Sequence, residues 1–149
     1  MSHIRSFTSV AALLVACVWT APASADEVDP ASLYDVSTDG SSSQVKTGEK
    51  GVFVVSVKTK PGAHVSEEAP LKLEVKGTQV SVAKEKLGRE DSVAKKAAGQ
   101  EFADPRFEIP FSATAAGKGS VDAKLVFFIC TEKICARQQK TLSVPVEVL

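Results

Sequence analysis

Apolar residues recur at every second position through most of the chain beyond residue 50, which is the period of a half-buried β-strand. Over residues 51–59, Phe53, Val55 and Val57 alternate with Val52, Val54, Ser56 and Lys58, and Lys60-Pro61-Gly62 then punctuates the run. Leu71, Leu73 and Val75 alternate with Lys72, Glu74 and Lys76. After Gly77-Thr78, Val80 and Val82 alternate with Gln79 and Ser81, so two half-buried strands joined by a turn are expected. Phe107, Ile109 and Phe111 share one face of a strand over residues 106–113, where Pro110 removes one ladder hydrogen bond and predicts an edge or a bulge. Ala116-Gly117-Lys118-Gly119 turns the chain into residues 120–130, with Val121, Ala123, Leu125, Phe127 and Ile129 on one side. A last strand over residues 140–149 aligns Leu142, Val144, Val146 and Val148.

Two stretches lack this period. Residues 26–48 are rich in Ser, Asp and Gly and read as a loose lead-in, with a short strand around residues 33–36. Residues 83–100 are dominated by Ala, Lys, Glu and Arg, and Val82, Leu87 and Val93 lie five and six apart, which makes no helical stripe. This stretch reads as a polar excursion with at most a short helix, its Lys84, Lys86, Arg89, Lys95 and Lys96 forming a solvated surface with Glu85, Glu90 and Asp91. Roughly seven short strands without a convincing helix predict an all-β fold, an immunoglobulin-like antiparallel β-sandwich, as a single domain over residues 49–149.

The first residues change the expected compartment. Arg5, an apolar stretch over residues 10–19 and Ala23-Ser24-Ala25 before Asp26-Glu27 have the layout of a signal peptide over residues 1–25, with cleavage leaving Asp26 first. The apolar run is about ten residues, where a membrane span needs about 20. Leu14-Val15-Ala16-Cys17 also has the form of a lipobox, the alternative in which Cys17 carries lipid. The polar amino-terminal end usual for a lipoprotein is missing after it, because Val18-Trp19-Thr20 prolongs the apolar segment. A periplasmic or secreted protein with no membrane span in its mature chain is expected.

Removal of residues 1–25 leaves 124 of the 149 residues, enough for one domain with its own core. The removed segment holds Arg5 and no acid, so seventeen basic residues then face eighteen acidic ones. That balance gives no electrostatic reason for nucleic acid or an anionic membrane as partner. Trp19 and Met1 leave with the signal, and Tyr34 is the single tyrosine.

What remains of the sulfur is Cys130 and Cys135, around Thr131-Glu132-Lys133-Ile134. Cys130 ends one strand and Cys135 leads into the next, so a four-residue turn would set them opposite each other at a Cα separation of about 4.5–5.5 Å, which a disulfide can bridge. In an oxidising compartment such a bond can simply staple the hairpin. Against that, closing so short a loop restrains the unfolded chain by only about 2 kcal/mol, against nearer 5 kcal/mol for a loop of a hundred residues. A bridge at an exposed hairpin tip is accessible to a partner thiolate, which favours exchange chemistry. The staple remains the alternative, in a non-catalytic binding or structural module.

Lys60-Pro61-Gly62-Ala63-His64, Phe107-Glu108-Ile109-Pro110-Phe111, Ala116-Gly117, Leu125-Val126-Phe127-Phe128-Ile129-Cys130, Cys135 and Lys140-Thr141-Leu142-Ser143-Val144-Pro145-Val146 stand in an order that resembles the amino-terminal periplasmic domain of the thiol:disulfide interchange protein DsbD family, over about residues 50–149. The resemblance implies an immunoglobulin-like sandwich whose redox pair is Cys130 and Cys135, with Cys135 the sulfur that forms mixed disulfides. It implies thioredoxin-like periplasmic oxidoreductases or a membrane electron donor as partners, and no cofactor. The chain departs from the family pattern in a spacer one residue shorter than in the best-known member, and in Ala136-Arg137-Gln138 where prolines often follow the second cysteine. Up to Leu149 it holds neither the membrane segments nor the thioredoxin-like domain of the full conduit, so electrons are expected from another protein. Family members shield their cysteines with a loop bearing an aromatic residue beside acidic ones, and Glu101-Phe102 is the nearest candidate; the plainer alternative makes Phe102 an ordinary core residue.

Other chemistry finds little to stand on. Cys130, Cys135 and His64 are one ligand short of a closed zinc site. His64 follows Pro61-Gly62 and reads as an exposed loop residue. With one histidine in the mature chain, no Ser/His/Asp or Cys/His hydrolase can be assembled.

Overall fold

The structure, a computed structural model, describes residues 27–149. The expected signal peptide over residues 1–25 and the alternative lipid site at Cys17 lie outside the described residues. The strands are β1 (Tyr34–Ser37), β2 (Gln44–Val45), β3 (Lys50–Thr59), β4 (His64–Val65), β5 (Lys72–Thr78), β6 (Val80–Val82), β7 (Lys86–Leu87), β8 (Arg106–Ala113), β9 (Gly117–Cys130) and β10 (Cys135–Val148).

One sheet runs β1-β3-β8-β6 and the other β2-β10-β9-β5-β7, with β4 added beside the far end of β9. Counting the seven longer strands in chain order, the first, second, fifth and fourth form one sheet and the third, sixth and seventh the other. This is the immunoglobulin-like arrangement of an all-β sandwich. The strands beyond the expected seven, β2, β4 and β7, have two residues each. All pairings are antiparallel except β2 with β10, which is parallel.

The alternating faces meet as the core. Phe53, Val55 and Val57 of β3 with Phe107, Ile109 and Phe111 of β8 oppose Leu73 and Val75 of β5, Val121, Leu125, Phe127 and Ile129 of β9, and Val146 and Val148 of β10, all buried. No polar or charged residue is fully buried among the described residues, so the core carries no desolvated charge to offset.

The expectations for the lead-in and for Arg89 need correction, and those for the β5–β6 turn and Pro110 can be placed more closely. The lead-in is built into the sandwich: β1 pairs with β3 and β2 with β10. Tyr34 anchors it, meeting Phe127 edge-on at 4.8 Å between ring centroids and donating its hydroxyl to Gln138 Oε1 at 2.9 Å. β5 and β6 are the two half-buried strands expected there, and the turn that joins them carries the chain from one sheet to the other. The corner between them holds Gln79 at φ 62°, and a Cβ on Gly77 would run into the Val80 carbonyl. Pro110 makes no bulge, since β8 pairs with β3 in unbroken register, but it lies just beyond Phe111–Ala113, the stretch paired with β6, and so at a local edge. Its carbonyl accepts from Ala83 N just past the end of β6, so its missing N–H faces the side where that strand has run out. Finally, Arg89 belongs to no solvated surface: it is half-buried, and its guanidinium donates to the carbonyls of Ser66 and Ala69.

Candidate functional site

The site lies where β9 ends. Thr131 N donates to the Ile134 carbonyl at 2.8 Å, and Thr131 Oγ1 accepts from Lys133 N and Ile134 N at 3.2 Å each, so a local hydroxyl cap shapes the turn. The alternation of the ladder makes the next pair, Cys130 and Cys135, a non-hydrogen-bonded one, where opposed Cα atoms approach most closely. Their Cα atoms are 4.1 Å apart and the two sulfurs are joined in a disulfide.

The face on which this bond sits follows from the register. Val121, Ala123, Leu125, Phe127 and Ile129 of β9 point into the core, so Cys130 projects from the opposite, solvent side of the sheet. It is nevertheless only 3% exposed. Its register neighbours on that face are Cys135 in β10 and, on the other side, His64 in β4. Cys135 is exposed, as is the adjoining Ile134 at 40%. The two cysteines therefore differ in access: one is enclosed, and the other faces solvent beside an apolar side chain.

His64 is a correction to its reading as an exposed loop residue. It is half-buried and paired in β4, and its ring stacks on Phe102 with centroids 3.8 Å apart and an interplanar angle of 7°. The signal for β4 was two residues long, too short for alternation to register. Phe102 is half-buried and stands outside the core, against the plainer alternative. Its loop is tied down by Asp104, which accepts from Thr59 Oγ1 at 2.7 Å, and by Val57 N donating to the Pro105 carbonyl at 2.9 Å. Gly62, at φ 82°, closes the turn that delivers His64, with Ala63 N donating to the Lys60 carbonyl at 3.1 Å. Glu101 is exposed on the same loop and shares a surface hollow with His64, Phe102, Lys58 and Lys60. Cys130, Cys135, His64, Phe102 and Glu101 thus gather at one end of the sandwich, drawn from three segments of the chain.

Chemically, this is a disulfide between an enclosed cysteine and an exposed one, with His64, its ring stacked on Phe102, beside Cys130 in the register. Among the described residues there is no cluster of three His, Cys, Asp or Glu set to hold a metal ion, and no helix long and apolar enough to cross a membrane.

No family model and no curated protein matches the sequence. Among solved structures, the S-layer protein SbsC domains 4 and 5 match at a TM-score of 0.36 and 18% identity, over 78% of this chain and 52% of that one, so the chain spans about half the length of the S-layer chain. The CooA pilin subunit from enterotoxigenic Escherichia coli matches at a TM-score of 0.25 and 12% identity, over 78% of this chain and 99% of that one. Neither likeness bears on function, which has to be argued from the site.

Proposed function

We propose that this is an exported, periplasmic thiol:disulfide exchange protein that relays electrons through Cys130 and Cys135 between thioredoxin-like partners. The observation that carries the reading is the unequal exposure of the two cysteines, Cys130 enclosed and Cys135 facing solvent beside Ile134. A bond needed only as a staple has no use for such a difference. Exchange does, because attack must fall on a chosen sulfur while the other leaves and is kept from stray reaction. The sequence resemblance to the amino-terminal domain of the DsbD family assigns the same roles to the same two residues.

In the electron-accepting half-reaction, a thiolate of the donor attacks Cys135 Sγ, the Cys130–Cys135 bond breaks, and Cys130 departs as a thiolate that takes up a proton. The donor's second thiolate then attacks its own sulfur in the mixed disulfide and releases Cys135. The donor ends as a disulfide and this chain as a dithiol, two electrons having moved. In the donating half-reaction, Cys135 attacks the acceptor's disulfide and Cys130 resolves the mixed bond. No metal or organic cofactor enters either half.

The test is the reduction potential, by equilibration in thiol buffers and gel-shift alkylation. A value of about −180 to −270 mV is expected, the span of exchange proteins, whereas one well below about −300 mV would mark a structural bridge and leave a binding module as the function. Cys130→Ala should in addition accumulate a mixed disulfide through Cys135 in periplasmic extract.

A further inference from the structure

The solvent face of the sheet carries a second feature continuous with the disulfide. The outward pair that follows Cys130 and Cys135 is Phe128 opposite Arg137, two residues along each strand and so about 7 Å away. Beyond it Val126 lies opposite Lys72, and Lys124 opposite Glu74. These six side chains line a hollow of about 410 Å³. Phe128 and Val126 are half-buried on a face that elsewhere carries polar residues, and Arg137, Lys72 and Lys124 around them are exposed. None of the three cations is in an ion pair among the described residues. The charge of the whole chain is balanced, so three cations against one acid here is a local departure.

Resting on the exchange reading above, we propose that this face is the docking surface for the partner's thiol-bearing segment, and that it selects a segment in which an apolar side chain and carboxylates flank the attacking cysteine. An extended segment with its cysteine at Cys135 places the residue two positions away over Phe128, because two residues of strand also span about 7 Å. Carboxylates beyond that residue meet Arg137 and Lys72. Charge at such a rim acts mainly on the rate of encounter, and its effect falls as salt rises.

The probes are two synthetic peptides, Glu-Gly-Phe-Gly-Cys-Gly-Phe-Gly-Glu, whose Phe and Glu share the face of the cysteine when the chain is extended, and its counterpart with Lys for Glu, together with 2-mercaptoethanol. Each peptide's rate of reducing the Cys130–Cys135 bond is normalised to its rate toward a small neutral disulfide, which removes differences in thiol pKa. The acidic peptide is expected to react about tenfold faster than the basic one at low salt, an advantage of about 1.4 kcal/mol, and to lose most of it at high salt. Arg137→Glu combined with Lys72→Glu should reverse the order of the two peptides when each rate is divided by the 2-mercaptoethanol rate of the same protein, which corrects for the effect of the changed charges on any thiolate. Equal normalised rates with a bond that 2-mercaptoethanol reduces readily would overturn the docking surface and leave the exchange reading standing. A bond that 2-mercaptoethanol opens only when the protein unfolds would overturn both. A dimer in sedimentation that the double variant dissociates would give the face to a second copy of the chain and overturn the proposal.

Discussion

The two halves of the ribbon formed by β9 and β10 share one unbroken register over fourteen residues of each strand, yet the polarity of their faces differs. In the half nearest Val148, the inward pairs are apolar, Val144 opposite Val121 and Leu142 opposite Ala123. The outward ones are polar, with Ser143 and Ser120 donating to the Asp122 carboxylate at 2.5 and 2.8 Å. In the half that ends at the cysteines, β10 turns Gln138 and Lys140 inward, while β9 turns Val126, Phe128 and Cys130 outward. A sandwich needs only the first pattern. The second sacrifices local consistency, and such departures concentrate at functional sites.

If the tip half has moved its stability to the inner face and its chemistry to the outer one, neighbouring residues of β9 should respond differently. The largest effect is expected at Phe127, which is fully buried against Tyr34. Phe127→Ala should cost about 3–5 kcal/mol of unfolding free energy, read from urea denaturation. Phe128→Ser, one position along on the outer face, should cost under about 1 kcal/mol, as surface substitutions do, while slowing reduction by the acidic peptide. Comparable losses of stability at both positions would erase the distinction between the faces.

Removing the disulfide sharpens the same point at smaller magnitude. Replacement of both Cys130 and Cys135 by Ala should lower stability by about 2 kcal/mol or less, since the loop it closes has a sequence separation of only five. Exchange activity should vanish. A loss of 5 kcal/mol or more in denaturation would make the bond a pillar of the fold.

Much of the fold was legible because the first pattern prevails over most of the chain. The inward faces of β3, β5, β8 and β9 could be picked out by alternation alone, and the cysteine hairpin followed from two strands and a four-residue spacer. What stayed hidden is the second pattern. β10 was expected from residue 140, but it begins at Cys135, because Gln138 and Lys140 erase the apolar alternation over its first residues. They are tolerated inward because Tyr34, from a segment that had no readable period, meets both: its hydroxyl bonds Gln138, and Lys140 Nζ stands 5.5 Å from its ring centroid. The pairing of His64 with Cys130 and its stack on Phe102 depend on contacts between separate segments, for which a single sequence carries no local signal.

That stack is the next thing to perturb. Stacked rings contribute about 0.5–1.5 kcal/mol beyond their buried area, so if the stack encloses Cys130, its loss should raise the exposure of that sulfur roughly two- to tenfold. Alkylation of Cys130 in the reduced Cys135→Ala protein should accelerate to that extent in Phe102→Ala and in His64→Ala. Unchanged rates in both would leave the enclosure of Cys130 to the strands alone.

The smallest effect concerns the polar patch inside the tip half. Tyr34→Phe keeps the edge-on contact with Phe127 and removes the hydroxyl that bonds Gln138, which should cost about 1 kcal/mol. Burial, with the charge of Asp29 adding to it, raises the Tyr34 phenol above its ordinary pKa of 10.0. A phenol is neutral when protonated, so a raised folded value means that its contribution is fully present below the unfolded pKa and is lost as pH rises through the folded one. The stability difference between wild type and Tyr34→Phe should therefore stay level up to about pH 9 and shrink above about pH 10. Measuring it as a difference cancels the lysines that titrate in the same range. A difference that stays level through about pH 11 would mean that the folded phenol ionises as readily as the unfolded one, so that neither its burial nor the charge of Asp29 disfavours the phenolate.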